Sequence, residues 1–376
     1  MKNVHEKLTQ GFSEQQAFAL LSATAEHLEN GRSPEAETLL TSLIETQGAH
    51  SVSANVQSLI FAKALLKNIN EEKAEEANLY LKEFDMPQIE LFDLLAKHVP
   101  LVNIPGQIVN EMICQFLRQS EEYVLLDIGI GSGRQEIRLL EKLAAHSCRK
   151  LTLIGIEPAV EALRESEKAI RQKADELGIE LMFYPIGKKI EDFNREDWNF
   201  LENFRGKLVI NEAFSLHHVV RHHSRGDLKD RVIERLYGLD PVFFVLTEPH
   251  SDHETPSLSR RLAEAWSHFG ATFRFIDQLS ELDEHQKAAL KTRFFAREIE
   301  DILQMDDSLR VERHEKAEQW ISRLQKTKFR TLDLKDFMRN VGLSAGSALK
   351  LSVRQDYLSL DFEDQTIVSI IGAQAA

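Results

Sequence analysis

The stretch from Tyr123 to Gly133 reads YVLLDIGIGSG and runs straight into RQEIRLLEKLAAH. A short apolar run ends in an acid, Asp127. Three glycines follow at every second position, Gly129, Gly131 and Gly133, with Ser132 between the last two. A helical pattern starts at once. This order predicts a strand, a tight turn and a helix N-terminus. Glycine has no Cβ, so the backbone can turn through positive φ and a ligand can lie directly on it. The helix start beyond offers N–H groups that have no intrahelical partner. Such a turn belongs at the carboxyl end of a strand in an α/β sheet.

Two ligand classes use a turn of this kind. The dinucleotide fingerprint needs G-x-G-x-x-G, with its acid at the end of the next strand. Here the spacing is G-x-G-x-G, with an acid two residues before the first glycine. That resembles the first motif of the class I S-adenosylmethionine-dependent methyltransferases. The resemblance implies S-adenosylmethionine as cofactor and S-adenosylhomocysteine as product, with the acid helping to hold the methionine end. A nucleotide, or a vestigial loop that binds nothing, are the alternatives.

The chain has 376 residues, enough for one large domain or two. Its net charge of -14 opposes non-specific binding to nucleic acid or to an anionic membrane. It leaves a local basic groove open. The two cysteines, Cys114 and Cys148, have no CxxC partner and read as reduced thiols. The N-terminus lacks an apolar core of signal-peptide length, and no window has the apolar length of a membrane span. The expectation is a cytoplasmic protein with a small-molecule substrate, away from membranes and nucleic acid. Homo-oligomerisation stays open.

Residues 1–100 read as a helical cap. EQQAFALLSATAEHLENG repeats apolar residues at helical spacing and stops at Asn-Gly. SPEAETLLTSLIETQG opens with Ser33 as a cap and Pro34 in the first helical position. Residues 101–376 form the second part. After the helix IPGQIVNEMICQFLRQ, strands and helices alternate: VLLDIGI, LTLIGIE, ELMFYPI, KLVINEAF and PVFFVLTEP are the strands. That alternation implies a parallel sheet with helices on both faces. A mainly helical insertion of about residues 251–307 follows the fifth strand and reads as a lid. RVERHEKAEQWISRLQKTKF reads as a further helix. SALKLSV, YLSLDFED and TIVSIIGA read as strands, the last two a hairpin across Asp364–Gln365. The expected fold is α/β: a Rossmann-like class I methyltransferase sheet, mostly parallel with an antiparallel C-terminal hairpin. It carries the N-terminal helical cap and the helical insertion. Ligands in such sheets sit at the strands' carboxyl ends. There the apolar runs end in Asp127, Glu157, Asn211 with Glu212, and Glu248.

Several stretches resemble the GRAS family, known mainly as plant transcriptional regulators, with bacterial members related to methyltransferases. LVINEAFSLHHV resembles its V-N-x-x-F-x-L-H-H-L stretch, and PVFFVLTEPHSDH its strand that ends in an acid. LRVERHEKAEQWISRLQKTKF resembles its R-x-E-R-H-E … W … R block, the most specific of all. RRLAEAWSHFGATFRFIDQL and LLSATAEHLENGRSPEAETLL resemble further stretches, so the match covers nearly the whole chain. The plant regulators carry a weakened glycine loop. This chain has a full one, and so resembles a bacterial member that kept the cofactor site. That departure weighs against a transcriptional role.

The cofactor-binding candidates are Asp127, Gly129, Gly131, Ser132, Gly133, Glu157 and Asn211. Glu157, ending the second strand, can accept hydrogen bonds from a ribose diol. Ile186 and Gly187 are candidates for the adenine site. The catalytic candidates are His217, Glu248 and Glu212. His217 resembles the general base in the L-H-D-W motif of plant small-molecule O-methyltransferases, and Glu248 is placed to orient its imidazole. The alternative is that His217 packs a helix with Glu248 as a structural partner. Asn211 and Phe214 in N-E-A-F are faintly similar to the [ND]-P-P-[YF] motif of amino-methyltransferases, without its prolines. His217, His218, His222, His223, His250 and His253 invite a metal. The arginines in HHVVRHHSRG repel cations, so the reading is a solvated basic helix and no metal. Arg310, Arg313, His314 and Glu315 read as an ion-pair network, with a substrate-cleft role as the alternative. The function expected is a methyltransferase acting on a small molecule. The competing function is a non-catalytic module that senses a ligand or binds a regulatory partner.

Overall fold

The computed structural model describes residues 11–48, 52–77, 88–220, 227–335, 337 and 348–375. The chain divides into two compact units. One comprises residues 1–99 and 251–313, the other residues 100–250 and 314–376.

Helices α1 (Glu14–Glu29), α2 (Ser33–Gly48), α3 (Val52–Lys67), α4 (Glu71–Ala77) and α5 (Gln88–His98) open the chain. A capping box starts α1: the Ser13 hydroxyl accepts from Gln16 N–H, and the Gln16 side chain accepts from Ser13 N–H. The sheet unit follows with α6 (Pro100–Leu117), β1 (Val124–Ile128), α7 (Arg134–Ala145), β2 (Lys150–Ile156), α8 (Val160–Leu177) and β3 (Glu180–Ile186). It continues with α9 (Arg195–Glu202), β4 (Leu208–Ala213), α10 (Leu228–Gly238) and β5 (Phe243–Pro249). The chain then supplies α11 (Leu258–Asp277), α12 (Glu284–Ala289), a π-helical turn (Leu290–Phe295) and α13 (Ala296–Ile302) to the helical unit. It completes the sheet unit with α14 (Ala317–Lys326), β6 (Phe329–Thr331), β7 (Leu349–Val353), β8 (Leu358–Phe362) and β9 (Gln365–Ala375).

The nine strands form one sheet in the order β3-β2-β1-β4-β5-β9-β8-β7, with β6 also paired to β9. Strands β1 to β5 are parallel, and β6 to β9 are antiparallel to their neighbours. Strand β1 is buried along its whole length, as a parallel strand covered on both faces must be. The sheet grows from β1 toward β2 on one side and toward β4 on the other. The carboxyl ends of β1 and β4 therefore flank the topological switch point, where α/β sheets bind ligands.

The helical unit has its own core. Leu21, Leu40, Phe61 and Leu65 from the N-terminal helices pack with Leu262, Phe269 and Ile299 from the insertion. Each amphipathic face covers the other, so the two segments form one unit. Among the described residues no helix is long and apolar enough to cross a membrane. Both cysteines are free thiols, and burial pushes that of Cys114 up to about 11.

Three sequence expectations change in detail. The hairpin turn is Glu363–Asp364, because Phe362 pairs with Gln365; Glu363 takes the left-handed φ of 52° that a two-residue turn needs. RVERHEKAEQWISRLQKTKF is not one helix. Val311 and Glu312 give their N–H groups to the Asp301 carboxylate, at 2.8 and 2.6 Å, so the helix starts only at Ala317. Its end turns at Lys328, with φ of 70°, into the short strand β6.

Candidate functional site

All three glycines of the turn have positive φ, at 86°, 51° and 70° for Gly129, Gly131 and Gly133. They do different jobs. A Cβ on Gly129 would lie 2.8 Å from the Ser215 Cβ, and one on Gly133 would lie 2.8 Å from the Ile170 Cδ1. Those two glycines permit close packing. A Cβ on Gly131 would meet only the Gly129 carbonyl oxygen, at 3.8 Å, so the backbone there faces open space.

The N–H groups of the turn are directed inward at its start. Gly129 and Ile130 both donate to the Ile156 carbonyl, at 2.9 and 3.1 Å, which ties the turn to the end of β2. Gly131 N–H donates to Glu157 Oε2 at 3.2 Å, and Ala159 N–H donates to Glu157 Oε1 at 2.9 Å. Half-buried Glu157 thus sits directly against the open glycine. Ser132 is exposed at the apex, and α7 begins after Gly133 with no side-chain cap. The Ile186 carbonyl accepts Glu157 N–H at 3.2 Å, and Gly187 lies against Val160.

Asp127 is buried beneath the turn. Register places it opposite Asn211 in β4, whose Nδ2 donates to Asp127 Oδ2 at 2.8 Å. Burial raises the Asp127 pKa, against the pull of hydrogen bonds from Glu136 and Asn211. Burial and the Asp127 charge push Glu136 well above the usual carboxylate range. The two carboxyls share a proton, carried on Glu136. Sequence reasoning missed Glu136, yet a signal existed. It falls on the same helical stripe as Leu139, Leu140 and Leu143, the face that α7 buries.

The second half of the site follows β4. Phe214, at φ of 53°, turns the chain into the 3₁₀ turn Leu216–His218. Ser215 and Leu216 donate their N–H groups to Glu212 Oε1, at 2.9 and 2.8 Å. His217 N–H donates to Glu248 Oε1 at 3.1 Å, and His217 Nδ1 lies 2.5 Å from Glu248 Oε2. Two buried glutamates thus hold the turn, and the solvated basic helix expected here does not form around His217. Burial would raise the Glu248 carboxyl, but the facing His217 overrides it and holds it at about 2. Burial, then repulsion from Glu248, pushes Glu212 well above its usual range. The pair therefore carries one negative charge, with the proton on Glu212 and the carboxylate facing His217.

The structure brings His217, Glu248 and Glu212 together and adds His314, which sequence reasoning did not join to them. The His314 ring stands edge-on to His217, centroids 4.6 Å apart, and exposed His218 lies 3.9 Å from His217. Gly129, against Ser215, links this cluster to the glycine turn. His222 and His223 lie outside the described residues. His250 Nδ1 accepts Ala317 N–H at 3.2 Å, and buried His253 contacts the Ser251 hydroxyl at 2.9 Å.

The R-V-E-R-H-E block is divided between structural tasks. Glu315 bridges Lys229 at 3.0 Å and Arg323 at 2.7 Å, all buried. Both cations also face the Trp320 ring, at 5.0 and 6.0 Å from its centroid. In the helical unit Arg313 pairs with Glu254 at 3.0 Å, and Arg310 pairs with Asp307 at 2.8 Å.

A mostly parallel sheet with a glycine turn and paired acids at its switch point defines an α/β protein with a Rossmann-like core. Residues 17–364 match the GRAS domain family, and the chain belongs to that family. It is similar to GRAS family protein RAD1 of Medicago truncatula, 27% identical over 300 residues, covering 78% of this chain and 53% of the relative. Chitin-inducible gibberellin-responsive protein 1 of Oryza sativa subsp. japonica is 25% identical over 337 residues, covering 86% of this chain and 58% of the relative. The chain spans about half the length of these curated relatives. Among solved structures, SCL7 of Oryza sativa shares the fold: TM-score 0.72 at 17% identity, covering 90% of this chain and 94% of that one.

Proposed function

We propose that this chain binds S-adenosylmethionine on the Asp127–Gly133 turn and methylates a small molecule in the cytoplasm. It is then a GRAS protein of the bacterial type that kept its cofactor site. The observation that carries the reading is the open backbone face at Gly131 with the Glu157 carboxylate set against it. That donor and acceptor suit a nucleoside: Glu157 would take the ribose hydroxyls, and the turn would lie along the cofactor. Asp127 and Asn211 would hold the turn from beneath, with Ser132 at its rim. When bound, the cofactor supplies a methyl group on a sulfonium.

His217 would take the acceptor's proton. Its Nδ1–H bond to Glu248 sets the tautomer with the lone pair on Nε2. A positioned base of this kind contributes roughly 10²–10⁴-fold in rate. Glu248 orients the ring, and Glu212 holds the proton that keeps the pair singly charged. Calorimetric titration with S-adenosylmethionine and S-adenosylhomocysteine tests the cofactor. Absence of heat and of any thermal shift with both, at millimolar concentration, would sink the reading.

A second reading has its own support. His217 is only 5% exposed and Glu248 not at all, which suits a structural clasp as well as a base. A relative whose name marks it as gibberellin-responsive points the same way. In that reading the turn binds a ligand without turnover. Binding without methylated product, in an assay of metabolite extracts with labelled cofactor, would favour it.

A further inference from the structure

The helical unit holds a cleft that methyl transfer does not use. About 160 Å³ of cavity volume lies between α1, α2, α3, α11 and the π-helical turn. A cavity of about 150 Å³ accepts a benzene-sized ring. Phe12, Trp266 and Phe273 supply its apolar wall, and Gln57, Arg274 and Lys291 its polar one.

Two departures from regular helix shape this wall. Gly270 sits inside α11, where a Cβ would lie 3.0 Å from Gln57 Nε2 and 3.3 Å from Arg274 Nη1. The missing side chain admits the Gln57 amide, which donates to the Trp266 carbonyl at 3.0 Å. Lys291 belongs to the π-helical turn, a geometry that concentrates at functional sites. Its side chain is 6% exposed, and its ammonium lies 5.8 Å from the Phe273 ring centroid. Its anionic partner, Asp277, is half exposed, and so is the Glu14 that pairs with Arg274 across 3.8 Å. Asp277 and Glu14 line the same cleft from its more exposed side, so a ligand carboxylate would exchange with them at Lys291 and Arg274.

We infer that this cleft binds a small single-ring aromatic carboxylate, its ring among Phe12, Trp266 and Phe273 and its carboxylate at Lys291 and Arg274. The test uses the full chain and ¹⁹F line broadening, with 4-fluorobenzoate, fluorobenzene and 4-fluorobenzylamine as probes. The benzoate should broaden most and the amine least. Lys291→Met should weaken the benzoate about tenfold or more, the weight of a charge-assisted contact. Ala17→Leu, which fills the cleft from α1, should remove binding of the benzoate and the neutral ring alike. Saturating S-adenosylmethionine should leave benzoate binding in place, which separates this site from the glycine turn. Failure of the parent to broaden the benzoate overturns the inference. So does equal binding of benzoate and amine, or unchanged affinity in a folded Lys291→Met chain. Should that variant not fold, the comparison of probes on the parent still decides.

Discussion

At the residue scale, the three glycines make separable predictions. An alanine at Gly131 pays only for its left-handed backbone, about 1–2 kcal/mol, since its Cβ would enter open space. Gly133→Ala adds a clash with Ile170 and should cost roughly 1–3 kcal/mol more. Urea midpoints should rank the two in that order. Cofactor titration should reverse the rank, with Gly131→Ala losing more affinity than its stability change explains. The acids make a second prediction, through pH. Glu248 has a lowered folded pKa, so its stabilisation is present above the unfolded value of about 4.3 and fades as pH falls through about 2. Glu212 is raised, so its stabilisation is present below that unfolded value and is lost as pH rises through its folded pKa. Glu212→Gln keeps a donor toward Glu248 and does not titrate. Thermal melts against pH should therefore show a flatter alkaline limb for Glu212→Gln than for the parent. Glu248→Gln weakens the acceptor of both the His217 N–H and its Nδ1–H and should cost about 1–3 kcal/mol at neutral pH.

At the element scale, Trp320 on α14 is the test case. It is fully buried beneath Lys229 and Arg323; Glu315 bridges the two, and Asp227 and Asp230 also pair with Arg323. Trp320→Ala should cost about 3–5 kcal/mol by denaturant titration. Glu315→Gln should cost about 3 kcal/mol, because it leaves the Lys229–Arg323 pair short of a buried anion. An unchanged midpoint in both would mean that α14 is held otherwise. Elements also show what the sequence could reveal. Four of the five parallel strands were legible as apolar runs that end at or beside an acid; β3, largely exposed at the sheet edge, lacks that acid. The glycine turn was legible because its backbone demands glycine at fixed positions. The extended course of Arg310–Glu315 was not legible. It depends on the Asp301 carboxylate taking the N–H groups ten and eleven residues further on, a contact that no apolar periodicity marks. His314 joins His217 for the same kind of reason: chain folding, and no local pattern, sets the two rings edge to edge. Glu136 lies between these cases, visible as an acid on an apolar stripe but without a named partner until β1 and α7 are packed.

At the scale of the whole molecule, the two units carry two separate ligand proposals, and one measurement reads both. Any ligand that binds only the folded state stabilises it by about 2.7 kcal/mol at a hundred times its dissociation constant. Hydrogen exchange resolves where that stabilisation is felt, because local opening reports regional free energies. S-adenosylmethionine should slow exchange first at Gly131, whose N–H now bonds only a half-buried carboxylate, and through the following turn of α7. 4-Fluorobenzoate should slow exchange in α11 and the π-helical turn, where Gln57 and Lys291 line the cleft. Peptides covering Leu125–Ala145 and Leu258–Phe295 separate the two effects. Protection of α11 by the cofactor alone would relocate the cofactor proposal to the helical unit. Protection of the glycine turn by the benzoate alone would reduce two sites to one. Protection of each region by its own ligand, additive when both are present, is the expected result: contacts of the two sites lie in separate cores, and stabilisations without shared partners add.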